Sequence, residues 1–125
     1  MPKNTLISCF RYADAPAAID FLCRAFGFEK HAVYADPENP KIVHHAQLVL
    51  DGEMIMLGSG PAGGRISLLY AVVADVEAHH ARAVAAGATI IGPPHDNVGY
   101  PGRSYETKDT EGNEWSFGTY DPWNS

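Results

Sequence analysis

The sequence predicts an α+β domain built from two βαβββ modules. Three observations carry that prediction: an internal repeat, two alanine-rich amphipathic helices, and short alternating segments separated by turn residues. The repeat pairs "FRYADAPAAIDFLCRAFGFEK" (10–30) with "AVVADVEAHHARAVAAGATI" (71–90). Each copy has an apolar strand, an Ala-Asp pair, a helix, a glycine and a new strand. Asp14 matches Asp75 and Gly27 matches Gly87, about half a chain apart. A period that long and present only twice indicates a duplicated unit rather than a solenoid.

In the first helix, Ile19, Leu22 and Phe26 recur at spacings of three and four, which places them on one stripe. Asp14 is expected to cap its start, with Pro16 in the first turn and Gly27 as a left-handed stop. In the second, Asp75 caps and Gly87 terminates, while Val76, Ala83 and Val84 form a thinner stripe. The first helix is followed by "FEKHAVYAD", "IVHHAQLVLD" and "EMIMLG", the last two joined at Asp51-Gly52, a strong hairpin signal. The second is followed by "ATIIG", "RSYETK" and "NEWSFGTY", with "GPPHDNVGYPG" (92–102) expected as a loop. The predicted organisation is one domain over 1–125: module 1 about 5–58, a glycine-rich linker about 59–65, and module 2 about 66–120.

Bulk properties narrow the function classes. The net charge is −6 and the nine Lys and Arg residues are scattered, so phosphate-backbone recognition is not expected. No apolar run approaches the roughly 20 residues of a membrane span, and the first ten residues lack a signal-peptide core, so a cytoplasmic location is expected. Cys9 and Cys23 lack ligand or redox spacing and are expected as buried apolar residues. "GSGPAGGR" (58–65) lacks the lysine and helix context of a phosphate loop.

The paired modules, the "HAQLVLDGEMIML" hairpin and the closing "DTEGNEWSFGTY" resemble the vicinal oxygen chelate superfamily, which contains glyoxalase I, extradiol dioxygenases and the bleomycin- and fosfomycin-resistance proteins. Thr110 stands where the closing pattern usually has proline. The resemblance runs from about residue 6 to residue 120 and implies a U-shaped mixed sheet with helices on its convex side. It also implies a divalent metal in the concave face, acting as a Lewis acid on a chelating substrate. Counting along the motifs, the four ligand positions fall on Ile7, Gln47, Leu68 and Ser116. One amide among Ile, Leu and Ser does not make a site that needs about three protein ligands. His44–His45 and His79–His80 are sequence neighbours and point apart on strand and helix. No metal ligand is therefore assigned and no cofactor is expected.

For the last hairpin, a four-residue loop 109–112 would pair Lys108 with Asn113, Thr107 with Glu114, and Tyr105 with Ser116. Arg103, Tyr105, Glu114 and Ser116 would then share the inward face, opposite Trp115 and Phe117. With His45, Gln47 and Tyr70 from other strands, and Tyr100 from the 92–102 loop, which is either a flap over the concave face or a rigid connection, they form the expected ligand-binding set. Arg103 either pairs with a ligand carboxylate or phosphate or holds the hairpin through Glu114 or a loop carbonyl. The functional expectation is a metal-free binding protein for an organic ligand of acidic or aromatic character. The alternative is a metal-dependent lyase, isomerase or dioxygenase using Ni, Zn, Mn or Fe, so enzyme status stays open. The resemblance further implies a homodimer.

Overall fold

The computed structural model describes residues 7–61 and 68–122, so most of the expected linker lies outside the described residues. The chain forms two compact units that divide between Arg65 and Ile66. The first contains β1 (Ser8–Tyr12), α1 (Ala15–Phe21) continuing into a π-helical segment (Leu22–Phe26), β2 (Glu29–Ala35), β3 (Val43–Leu50) and β4 (Glu53–Ser59). The second contains β5 (Leu68–Val72), α2 (Val76–Ala85), β6 (Thr89–Asp96), β7 (Arg103–Lys108) and β8 (Glu114–Gly118). Strand order is β1-β4-β3-β2 in one sheet and β5-β8-β7-β6 in the other. In both, the first and last strands pair parallel and the remaining neighbours antiparallel. The two sheets thus share one topology, as the repeat predicts.

Local chemistry explains the matching ends. Asp14 accepts from the Ala17 amide and Asp75 from the Ala78 amide, each at 3.1 Å. Gly27 and Gly87 both sit at φ 89°, where a Cβ would be strained. In the 51–52 turn both Asp51 (φ 49°) and Gly52 (φ 81°) are left-handed, the signature of a type I′ hairpin.

In the first unit, Ile19, Phe21, Leu22 and Phe26 pack on the face formed by Phe10, Tyr12, Ala46, Leu48, Ile55 and Leu57, all buried. In the second, Tyr105, Thr107, Trp115 and Phe117 are fully buried under α2, which itself buries only Val76 and Ala83. His79 completes that packing: its ring lies 4.2 Å from the Phe117 ring, and its Nδ1 is 2.6 Å from the Tyr105 hydroxyl.

The register of the last hairpin corrects the sequence expectation by one residue. Lys108 faces Glu114, Glu106 faces Ser116, and Tyr105 faces Phe117. Asp109 is the cause. Its amide donates to the Asn113 carbonyl at 3.0 Å, extending the ladder and leaving a three-residue loop that closes at left-handed Gly112. Its buried carboxylate accepts from the amides of Glu111 and Asn113, the Asn113 side chain and the Trp115 indole. Because side chains alternate, a slip of one exchanges the two faces of β7 relative to β8.

Candidate functional site

Of the expected ligand-binding set, His45 and Gln47 belong to the first unit and the other six residues to the second. On the first sheet, Ala46 and Leu48 face the helix, so His45 and Gln47 stand on the other face of β3. Gln47 lies opposite Met56 and Ala32, and the His45 ring is 5.9 Å from that of Tyr34. Cys9 pairs with Met56 and is exposed, contrary to its expected burial, and Cys23 is only half-buried. His44 turns instead to Asp36 at 3.0 Å, and that hydrogen bond holds the Asp36 carboxyl below its ordinary range.

Tyr105 and Arg103 lie on the helix-bearing face of the second sheet, away from Ser116 and Glu114. Tyr105 is completely buried, and that burial pushes its phenol well above the ordinary tyrosine range. Arg103 donates from Nε to Glu77 of α2 and from Nη1 to Asp96 of β6, both at 2.9 Å. It lines an open cavity of about 470 Å³ with Asp75, Glu77, Asp96 and Thr119. With two carboxylates on its guanidinium, Arg103 ties β7 to α2 and β6, through partners other than the Glu114 or loop carbonyl expected from the sequence.

The open face of the second sheet carries Glu114 and Ser116 as expected, joined by Leu68, Tyr70 and Val72 of β5, which are their parallel neighbours or lie one pair along. The structure adds Glu106 and His95. His95 Nε2 lies 2.8 Å from Glu106 Oε1, and the Ser116 hydroxyl donates to Glu106 Oε2 at 3.3 Å. The Glu106 carboxylate, followed by the Asp96 carbonyl, raises the His95 pKa above its ordinary value.

β6 explains how His95 arrives there. The segment expected as a loop from Gly92 continues the edge strand to Asp96. Its ladder to β7 shifts register between Ile90 and Gly92 and again between Gly92 and His95. Pro93 and Pro94 have no amide hydrogen to donate, which confines them to an edge or a bulge. Thr89, Gly92 and His95 then face Lys108, Glu106 and Ser104 in turn. A Cβ on Gly92 would stand 2.5 Å from Glu106 Oε1, so glycine is what leaves room for the carboxylate. The actual loop, 97–102, is tied by Asn97, whose amide and side chain donate to the carbonyls of Gly102 and Pro101, both at 2.8 Å.

Tyr70 crosses Gly118, where a Cβ would meet its hydroxyl at 2.7 Å. That hydroxyl donates to the Tyr120 carbonyl at 2.6 Å, and desolvation raises its pKa. Tyr100 packs edge-on to Tyr120 with ring centres 5.2 Å apart. The tyrosines therefore meet beside the end of β8, through a contact with Tyr120 that sequence alone did not reveal.

The positions that the family resemblance marks for metal ligation carry Ile7, Gln47, Leu68 and Ser116. Among the described residues no group of three or more His, Cys, Asp or Glu could hold a metal ion. At those four positions the only oxygen donors are the Gln47 amide and the Ser116 hydroxyl.

The family profile of the Glyoxalase/Bleomycin resistance protein/Dioxygenase superfamily matches residues 7–117, and the chain belongs to that superfamily. Among solved structures, TioX from Micromonospora sp. ML1 is similar at 28% identity and TM-score 0.76, covering 92% of this chain and 94% of its own. The fosfomycin resistance protein FosX from Mesorhizobium loti aligns at 16% identity and TM-score 0.71, covering 99% and 98%. Glyoxalase I from Zea mays aligns at 17% identity and TM-score 0.70, over 92% of this chain but 44% of the longer one. The latter two likenesses concern the fold alone. No curated protein sequence matches the chain. Among the described residues no helix is long and apolar enough to cross a membrane.

Proposed function

We propose that the chain is a metal-free small-molecule-binding protein of the glyoxalase/bleomycin-resistance type. The observation that carries this reading is the open face of the second sheet. There, exposed Leu68, Tyr70 and Val72 adjoin a carboxylate fixed by an imidazole and a hydroxyl. An apolar surface with a few fixed polar groups suits an organic ligand with a flat part. The acidic-ligand version of the reading loses its anchor, because Arg103 is committed to Glu77 and Asp96. His45 and Gln47 are proposed as a second set of ligand contacts on the first sheet. Homodimeric assembly and a cytoplasmic location belong to the same reading, the latter supported by two free cysteines.

The test combines elemental analysis of protein purified without chelator with a thermal-shift screen of organic compounds, with and without Ni, Zn, Mn and Fe. Metal-independent rises in Tm are expected, since a ligand selective for the folded state stabilises it. A stoichiometric divalent ion required for those shifts would replace this reading with the metal-dependent lyase, isomerase or dioxygenase alternative. Light scattering on a sizing column tests the dimer.

A further inference from the structure

Glu106 is the most closely held group on the open face of the second sheet. Gly92 leaves space for its Oε1, two register shifts in β6 bring His95 to that same oxygen, and Ser116 of β8 donates to the other. The two strands that flank β7 thus fix one acceptor, and its side chain remains about one-third exposed (32%). A carboxylate oxygen has two acceptor positions, so each retains capacity after one hydrogen bond. The other side chains on this face supply little competing positive charge. Lys108 stands opposite Glu114, and Arg103 is on the reverse face with Glu77 and Asp96. When His95 is neutral it can still donate from Nε2, more weakly than when protonated, and the negative charge of Glu106 is then not offset by it. Beside it, Leu68 (71% exposed), Tyr70 (37%) and Val72 (45%) offer a hydrocarbon and aromatic surface.

We infer that Glu106, positioned by Gly92, His95 and Ser116, is the recognition point for a protonated amine carried on an apolar ring system that rests against Tyr70 and Leu68. This rests on the reading of the chain as a small-molecule-binding protein and names the ligand class for that function. The charge-assisted hydrogen bond supplies discrimination, and the exposed apolar side chains supply contact area.

Two probes of the same ring and opposite charge test it: tryptamine and indole-3-propionate, titrated at pH 8 into the full chain and followed by amide NMR. Tryptamine is expected to shift the amides of Tyr70, Glu106 and Ser116 and to bind at least ~10-fold tighter than indole-3-propionate, the scale of one charge-assisted hydrogen bond. Glu106→Gln should weaken tryptamine by ~10-fold without moving the weaker affinity for indole-3-propionate. Gly92→Ala should act in the same direction by displacing the carboxylate. Should Gly92→Ala fail to fold, Glu106→Gln and Ser116→Ala carry the test, since both keep the backbone and reduce volume little or not at all. Equal or tighter binding of indole-3-propionate at the same amides would overturn the amine assignment while leaving the binding reading intact. Shifts elsewhere, indifferent to Glu106→Gln, would overturn the role of Glu106, and absence of binding by both probes would overturn this inference. The metal-independent ligand screen would then stand or fall separately.

Discussion

The two modules share strand order, helix caps and terminating glycines, yet they close their cores by different chemistry. In the first, α1 and its π-helical continuation bury Ile19, Phe21, Leu22 and Phe26 against an apolar sheet face. In the second, α2 buries only Val76 and Ala83, and His79 meets Tyr105 and Phe117 in their place. The open faces differ as well. Gln47, Met56 and Cys9 mark the first, whereas Glu106, His95 and Ser116 form a hydrogen-bonded group on the second. One topology can therefore be closed by a helix that buries four large apolar side chains or by one that contributes two apolar side chains and a histidine that meets a buried tyrosine hydroxyl. The polar solution coincides with the sheet whose other face carries the candidate site.

Matched core truncations should have the largest effect on this comparison. Phe26→Ala and Trp115→Ala each remove a fully buried ring and should cost ~3–5 kcal/mol, read as a fall in the urea midpoint. Trp115→Ala should be the more severe, because it also removes the indole donor at 3.1 Å from Asp109. Equal losses would mean that the loop contact adds nothing to the second module.

Asp109→Ala comes next. It leaves the buried donors of Asn113 and Trp115 without their acceptor and should cost ~2–3 kcal/mol. A change in the β7–β8 cross-strand NOE pattern would show that Asp109 also sets the register.

Tyr105→Phe should cost ~1 kcal/mol by removing the hydroxyl that meets His79. It should also flatten the alkaline limb of the stability curve. Burial raises the folded-state pKa of Tyr105, so its contribution is complete below about pH 10, the unfolded value, and is lost as pH rises beyond it. No shift of the alkaline limb in Tyr105→Phe would contradict this.

The smallest effect is local. His95 should titrate above an ordinary histidine because Glu106 favours its charged form, and Glu106→Gln should return it toward the ordinary value. Whatever stability the pair adds is present below about pH 6.5 and lost as pH rises through the raised pKa. Proton NMR of the imidazole reads this directly.

The repeat made the element order, both capping aspartates and both terminating glycines legible from sequence, because each rests on local chemistry. His45 and Gln47 were placed together correctly by strand alternation alone. Arg103 and Tyr105 were not, because the loop length depended on how Asp109 bonds across it, a side-chain choice that the turn residues leave open. Grouping Tyr105 with Trp115 and Phe117 as one aromatic layer would have been the signal for the true register. Glu106 was hidden by the same slip. His95 was hidden by Pro93-Pro94, which reads as a loop unless the strand is known to lie at an edge.

The π-helical segment has a further consequence. Gly27 follows Asp14 by one residue more than Gly87 follows Asp75, yet both glycines finish at φ 89°. The first copy absorbs its extra residue inside the helix, where the Gly27 amide reaches back to the Leu22 carbonyl, and not in either flanking strand. A single-residue insertion or deletion is thus buffered before it can shift the sheet. Lengthening at that point is a route by which duplicated halves can diverge without losing their common frame.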